Sequence, residues 1–380
     1  MRMDAEGDRL SSLQDDLILK ILSFVGLKDA IGTSVLSPRW RYLWTSIPHL
    51  NFSSEDFSTM DKLSDYVTRV LSRRNNQAQL SSIDLYLRLK DGHDVAHMIM
   101  NYAFSHNVQK VNLTCLFGNI ITCIPEENIG FSLSLSSSQT IKHLTFSSSF
   151  EYQPIALITS TSELSSLTTM HLDYIRLYDG FFSQCPNLEN LTLICCRMMR
   201  SKIFRICHPR LSNLTVDHGY LASDTLHVVT PQLRNLTITS IAGSYLISAP
   251  ELASLLLTGL APYMFSTDGF HSLEKAQLSL YCLNNLDSPY APKVISLLQN
   301  LHSVKDISLS LEIIELLHWA VELISHQPSP FANLKCLKIL PRMKCEWRRG
   351  HAELIMSAEV KNFLLNGSPE ATLTEVCTRT

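Results

Sequence analysis

The sequence predicts an α/β protein: a small helical module at the N-terminus, then an irregular solenoid whose short strands form a parallel sheet on its concave side. Two patterns carry that prediction, a leucine frame that returns every 19 to 23 residues through the middle of the chain and an amphipathic helix followed by two closely spaced tryptophans ahead of it. Composition supports a folded chain: of 380 residues 45% are apolar and 18% charged, above the hydrophobicity at which a chain stays disordered.

The head comes first. Leu17, Ile18, Ile21, Leu22 and Val25 recur at helical spacing and form one apolar face. Asp15 and Asp16 occupy the first turn, where carboxylates meet the positive end of the helix dipole, so they read as helix-start residues and not as an acid/base pair. Gly26 is expected to end this helix, and Asp29 to cap a second one running through Leu36. Ser37-Pro38 then restarts the chain as an N-cap followed by proline at the first helical position. Trp40, Leu43 and Trp44 fall on one face of the turn that this cap opens. About forty residues with this much apolar surface are marginal alone. They either pack on the rest of the chain or present an interface hot spot, and composition does not separate the two.

The repeat fills residues 79–340. Four near-copies stand in its centre: Pro186-Asn-Leu188-Glu-Asn-Leu191-Thr-Leu193, Pro209-Arg-Leu211-Ser-Asn-Leu214-Thr-Val216, Pro231-Gln-Leu233-Arg-Asn-Leu236-Thr-Ile238 and Pro250-Glu-Leu252-Ala-Ser-Leu255-Leu-Leu257. The same L-x-x-L-x-L frame begins at Leu167 and Leu273, so six starts lie 21, 23, 22, 19 and 21 residues apart. Weaker copies begin at Leu80, Val108, Ile141, Val304 and Leu334. Period and frame are those of a leucine-rich repeat. The last two apolar positions are two residues apart and point inward from one strand, while stacking lets each unit cover the apolar edge of the one before. Proline two residues before the first leucine fixes the entering chain without removing a ladder donor.

The positions between those apolar residues point outward, where a partner would touch. They are Thr169, His171, Asp173, Asn190, Thr192, Asn213, Thr215, Asn235, Thr237 and Leu256, with Ser254, Lys275 and Gln277 beside them. Asn and Thr also simply suit a solvated strand face. The repeat explains why four of the six N-x-S/T sequons share the triplet Asn-Leu-Thr, which is therefore no argument for glycosylation.

Leu10-Ser-Ser-Leu-Gln-Asp-Asp-Leu-Ile-Leu-Lys-Ile-Leu-Ser-Phe-Val, followed by Thr33-Ser-Val-Leu-Ser-Pro-Arg-Trp-Arg-Tyr-Leu-Trp44, resembles an F-box over residues 9–52, and especially that of plant F-box proteins with leucine-rich repeats. Gln14 departs from the pattern, which usually has proline there. Met60 to Leu71 is similar to the family's amphipathic linker helix, within a 53–78 linker. Val95, Met98, Ile99, Tyr102 and Ala103 form a second helix face, again as in the family. Residues 341–380 would be a C-terminal cap; Lys344 to Gly350, Ala352-Glu-Leu and Val360 to Gly367 partly resemble the FBD segment of many relatives.

The resemblance implies the substrate-recognition subunit of an SCF-type ubiquitin ligase. The F-box would dock on a Skp-type adaptor and through it on a cullin scaffold, and the repeats would hold a target protein for ubiquitination. Chemistry would then belong to the partners, this chain contributing proximity. Carried over by motif position, Leu13, Leu17, Ile18, Ile21, Leu22, Leu36, Trp40, Leu43 and Trp44 form the adaptor-facing or hairpin-core surface, undivided between those two jobs. Either Trp40→Ala or Leu17→Asp is expected to abolish adaptor capture and leave the repeats folded. The alternative is a repeat scaffold that recruits no ligase, credible if Gln14 disables the F-box.

Other classes find little support. Metalloprotease, P-loop, dinucleotide-binding and nucleophile-elbow motifs are all missing, and fourteen histidines are scattered without ligand spacing, so no enzyme, cofactor or metal is expected. Ten cysteines (115, 123, 185, 195, 196, 207, 282, 336, 345, 377) form no C-x-x-C pair and read as buried reduced thiols. A net charge of −3 gives no field for nucleic acid or an anionic membrane, and the cluster Arg342, Lys344, Arg348, Arg349 reads as a solvated face. No signal peptide and no apolar run of membrane length is present, which points to the nucleus or cytoplasm.

Overall fold

Helix α1 (Asp15–Leu22) starts where expected, with Asp15 and Asp16 in its first turn and Lys20 in its last, each complementing the helix dipole. In the computed structural model, residues 12–88, 92–116, 130–133, 139–148, 155–159, 164–199, 201–219, 225–240, 243–260, 262, 264–267, 270–281, 290–341 and 356–375 are described. They fall into two units, Met1–Ile175 and Arg176–Thr380.

Two expectations about the head need correction. Gly26 does not end α1, which stops at Leu22; it stands at the N-cap of α2 (Leu27–Gly32) with ordinary negative φ. Asp29 lies inside the first turn of α2 and caps nothing, because the N-terminal amide of Leu27 is already satisfied by Asn51 Oδ1 at 2.7 Å. A single 3₁₀ turn (Thr33–Val35) completes the segment. Ser37 does cap the next turn, its Oγ accepting from Trp40 N at 3.4 Å ahead of α3 (Trp40–Leu43).

The sheet of the first unit begins earlier than the repeat frame suggested. Strand β1 (His49–Ser53) pairs in parallel with β2 (Ser82–Arg88), and between them runs α4 (Met60–Arg73), the anticipated linker helix, capped by Thr59. Next come α5 (His93–Ser105), β3 (Lys110–Leu116), β4 (Gly130–Leu133), β5 (His143–Ser148), β6 (Ile155–Thr159) and β7 (Thr169–Asp173). The order β1-β2-β3-β5-β7 is parallel throughout, and β4 pairs with β6 apart from it. Helix α5 buries Val95, Ile99 and Ala103, together with a second row, Ala96, Met100 and Phe104, that the expected helix face does not include.

At the start of the second unit Arg176 and Leu177 of β8 (Ile175–Leu177) pair with β10 (Arg197–Met198). Strands β9 (Asn190–Ile194), β12 (Asn213–Gly219), β14 (Asn235–Ser240), β16 (Ser254–Leu260), β18 (Lys275–Tyr281), β19 (Asp306–Ser310), β20 (Cys336–Leu340) and β21 (Thr372–Glu375) follow one another in a parallel sheet. On the other side of the central repeats, β11 (Ile203–Cys207), β13 (Thr225–Val229), β15 (Ser244–Ser248) and β17 (Met264–Thr267) make a second parallel sheet, so each of these repeats contributes two strands. Later repeats use helices instead: α6 (Tyr290–Gln299), α7 (Leu311–Trp319), α8 (Val321–Ile324) and α9 (Ala358–Leu365). The solenoid is uneven because its back layer changes from strand to helix.

Inward residues alternate as the frame requires. Leu191 and Leu193, Leu214 and Val216, Leu236 and Ile238, and Leu255 and Leu257 are all buried. The residue before each repeat proline is buried as well: Cys185, His208, Thr230 and Ala249. Six described cysteines are free; Cys115, Cys185, Cys195 and Cys196 are buried, Cys207 is exposed and Cys336 half-buried. Burial pushes the Cys115 and Cys185 thiols up to about 12, which keeps them protonated as small hydrophobes. Cysteines 123, 282, 345 and 377 lie outside the described residues. Gly367 passes so close to the Phe331 carbonyl that a Cβ would lie 2.2 Å from it, and the Ser368 hydroxyl donates to that same oxygen while accepting from Leu334 N. The last strand is thereby clamped to the turn ahead of β20. Among the described residues no helix is long and apolar enough to cross a membrane.

Candidate functional site: an apolar head and a polar sheet face

The head hairpin sorts its apolar residues into two sets. Ile18, Leu22, Leu27, Ala30, Trp40 and Trp44 are buried, and α1 packs on α3 and on the 3₁₀ turn that follows it. Leu17, Ile21, Phe24, Val25, Val35, Leu36 and Tyr42 remain exposed, Val35 by 86%, Phe24 by 80% and Leu36 by 62%. A hairpin one layer deep has no second layer to cover its outer stripe, so α1 leaves Leu17 and Ile21 in water one position away from the buried Ile18 and Leu22. Leaving such side chains exposed forgoes roughly 1.5–3 kcal/mol each relative to full burial. Seven together within 26 residues make a patch, not scattered exceptions.

The patch sits on a fixed base. Arg39 donates to Asp15 Oδ1 and to the Leu13 carbonyl, pinning the entry of α1 to the start of α3. Gln14 takes φ −68° and ψ 151°, the backbone that proline would impose, and its carbonyl accepts from Leu17 N and Ile18 N. Below, Asn51 of β1 caps α2, and the buried Arg74 after α4 donates from Nη1 to the Ile47 carbonyl at 2.5 Å. Asn75 N donates to the Thr45 carbonyl. Ile47, Leu50 and Phe52 are all buried and repeat the L-x-x-L-x-L spacing, a signal in the sequence that would have placed β1 in the sheet.

Beside this base, the outward face of the first unit's sheet carries a polar cluster. His49 Nδ1 lies 2.6 Å from Ser82 Oγ and His49 Nε2 lies 3.1 Å from Asp84 Oδ2, while Asn112 Nδ2 donates to Asp84 Oδ1 at 2.6 Å. Burial pushes the Asp84 carboxyl up. Hydrogen bonds from His49 and Asn112, with the nearby His49 and Lys110 charges, outweigh it and hold the group below the usual carboxylate range. On the same face β7 presents Thr169, His171 and Asp173, all half-buried; desolvation lowers the His171 pKa, favouring neutral imidazole.

The second unit's face differs in chemistry. Register places Asn190, Asn213, Asn235 and Ser254 in one row and Thr192, Thr215, Thr237 and Leu256 in the next. The asparagines form a ladder: Asn213 Nδ2 donates to Asn190 Oδ1 at 2.7 Å, and Asn235 Nδ2 to Asn213 Oδ1 at 2.6 Å. Both rows are uncharged over these four strands, and charge returns with Lys275, Asp306 and Lys338 further along.

Of the nine head residues expected at the adaptor-facing or core surface, Ile18, Leu22, Trp40 and Trp44 are core, Leu17, Ile21 and Leu36 are exposed, and Leu13 and Leu43 lie between. Trp40 takes the hairpin-core side of that undivided set, its side chain being buried within the head. Phe24, Val25, Val35 and Tyr42 join the exposed set; Val25 lay on the expected helix face, whereas Phe24, Val35 and Tyr42 fell outside every apolar pattern read from the sequence. All ten candidate target residues lie on the outward face, three in the first unit and seven in the second. The basic cluster Arg342, Lys344, Arg348, Arg349 and the FBD-like stretch from Lys344 to Gly350 lie outside the described residues, and Val360 onward forms α9.

Comparison with known proteins agrees with this arrangement. A family model described as F-box domain matches residues 10–51. An F-box/LRR-repeat protein of Arabidopsis thaliana is 29% identical over 320 residues, spanning 81% of this chain and 92% of its own length. A putative F-box/FBD/LRR-repeat protein of the same plant is 31% identical over 261 residues, 66% of this chain and 53% of that protein. A further F-box/FBD/LRR-repeat protein is 26% identical over 351 residues, 87% of this chain and 73% of its own.

Proposed function

Since the chain carries an N-terminal F-box and falls within the plant F-box/leucine-rich-repeat family, we propose that it is a substrate-recognition subunit of an SCF-type ubiquitin ligase. F-box domains generally bind Skp-type adaptors, and proteins of this family are generally non-catalytic adaptor subunits. In this reading the head docks on a Skp-type adaptor, which joins it to a cullin scaffold in the nucleus or cytosol. The outward sheet face holds a target protein, and the rate gain comes from effective concentration alone. One observation carries the reading: seven large apolar residues stand exposed on a head whose own core is complete without them. Apolar anchors clustered on a rigid base are what a protein interface requires.

A repeat scaffold recruiting no ligase drew its support from Gln14. That residue keeps the proline-like backbone and leaves the exposed stripe unaltered, so it gives the scaffold reading little weight. Calorimetric titration of the full-length chain with a purified Skp-type adaptor tests the proposal. Saturable one-to-one binding that recruits cullin in size-exclusion chromatography is expected. No binding at micromolar concentration would leave only the scaffold.

A further inference from the structure

The loop between the 3₁₀ turn at Thr33–Val35 and α3 carries a feature that docking does not use. Ser37 is followed by Pro38, so it forms the minimal Ser-Pro pair that proline-directed protein kinases accept, with Arg39 and Arg41 just beyond. We propose that Ser37 is a phosphorylation site and that its phosphate closes the apolar head to the adaptor. The second half rests on the docking proposed above; the first half does not.

Three observations single out this serine. Proline disfavours the helical region for the residue before it and biases that residue towards an extended backbone. Pro38 is exposed and Ser37 half-exposed, in a loop without regular structure. The Ser37 oxygen accepts from Trp40 N, and no acceptor among the described residues takes its O–H. The other described pairs of this kind fail. Ser368 is buried and engaged by Leu334 N and the Phe331 carbonyl, the Ser329 hydroxyl and Pro330 are buried, and Thr230 before Pro231 is fully buried. Ser288-Pro289 lies outside the described residues.

The chemistry is ordinary phosphoryl transfer from ATP. Ser37 Oγ forms a bond to the γ-phosphorus, the bond from that phosphorus to the β–γ bridging oxygen breaks, ADP leaves, and the hydroxyl proton passes to the base of the kinase. The product carries a charge of about −1.5 to −2 next to Leu36 and Val35, both part of the exposed apolar set of the head. A phosphate oxygen still accepts from Trp40 N, so the cap survives and the fold with it. An apolar partner surface, by contrast, would have to desolvate the phosphate, and docking is lost.

The test uses the full-length chain, a proline-directed serine/threonine kinase, Mg-ATP and a Skp-type adaptor. Tandem mass spectrometry is expected to find phosphate on Ser37 and none there in Ser37→Ala. Calorimetry is expected to show Ser37→Ala binding adaptor like the unmodified chain, and the phosphorylated chain binding at least about tenfold more weakly with unchanged thermal melting. A chain left unmodified at Ser37 overturns the site. Phosphate on Ser37 with unaltered affinity overturns the closure. Failure of the unmodified chain to bind at all overturns the docking reading and the closure together, while the mass spectrum still decides the site.

Discussion

The head and the repeats use the same residue types to opposite ends. In the repeats the frame leucines are buried, and apart from Leu256 the two outward rows from β9 to β16 carry amide and hydroxyl groups, with charge further along. In the head, two tryptophans and a few aliphatics complete a small core, and half of the exposed large apolar residues described in the chain lie within residues 17–42. A stacked array has a neighbour for each apolar edge; a single hairpin one layer deep does not. Under the proposed function that surplus is what a partner protein covers, whereas the repeats cover their own apolar edges.

Core truncation should affect both regions alike and most strongly. Leu214→Ala is expected to cost about 2–5 kcal/mol and Trp40→Ala about 3–5 kcal/mol in urea denaturation. Were Trp40→Ala to lose adaptor binding at unchanged stability, the division of the head into core and surface would be wrong. Leu36→Asp separates the regions: adaptor affinity should fall by about 100-fold, with stability within about 0.5 kcal/mol of the parent.

Acid should weaken the repeats through a residue of a different kind. His208 is buried, its Nε2 2.9 Å from the Cys185 carbonyl and its Nδ1 accepting from Arg210 N, which requires neutral imidazole. Desolvation lowers its pKa, the Arg210 charge adding to this against the opposing bond to Cys185. A histidine with a depressed folded pKa binds fewer protons than in the unfolded chain, so its stabilisation is complete above about 6.5 and declines as pH falls below that value. Stability measured from pH 7.5 to 5 should fall more for the parent than for His208→Gln.

Smaller effects refine the contrast. Asn213→Ala breaks both rungs of the ladder and should cost about 0.5–1.5 kcal/mol; a cost near zero would mean that the outward face is maintained only for a partner. Gln14→Pro should stabilise the head by about 0.4–1 kcal/mol through the unfolded chain, because φ is already −68°, with adaptor affinity unchanged.

Much of the solenoid was legible. Each of the eleven frame starts read from the sequence leads into a strand, including the weak ones at Leu80, Val108, Ile141, Val304 and Leu334. Period-two burial imposes a local pattern that survives irregular spacing. The back sheet was not anticipated, although the buried pairs Phe204/Ile206, Leu226/Val228 and Tyr245/Ile247 of β11, β13 and β15 each stand seven and five residues before a frame leucine; only β17 breaks that spacing. Turn chemistry also misled: Tyr174 and Cys195, each directly after a sheet strand, adopt positive φ (54° and 48°) where glycine or asparagine would have given warning. At the far end, β21 carries no L-x-x-L-x-L frame and is held by pairing with β20 and by the Gly367-Ser368 clamp.

By itself the sequence determined that a helical head precedes stacked leucine-patterned strands, and which strand residues face inward, because one-dimensional period maps directly onto strand and helix faces. Only the tertiary structure decided which apolar residues of the head are core and which are surface. Those outcomes depend on which neighbours lie beyond a residue's own element, and a helix with a broad apolar stripe is compatible with burial of either edge until something packs against it.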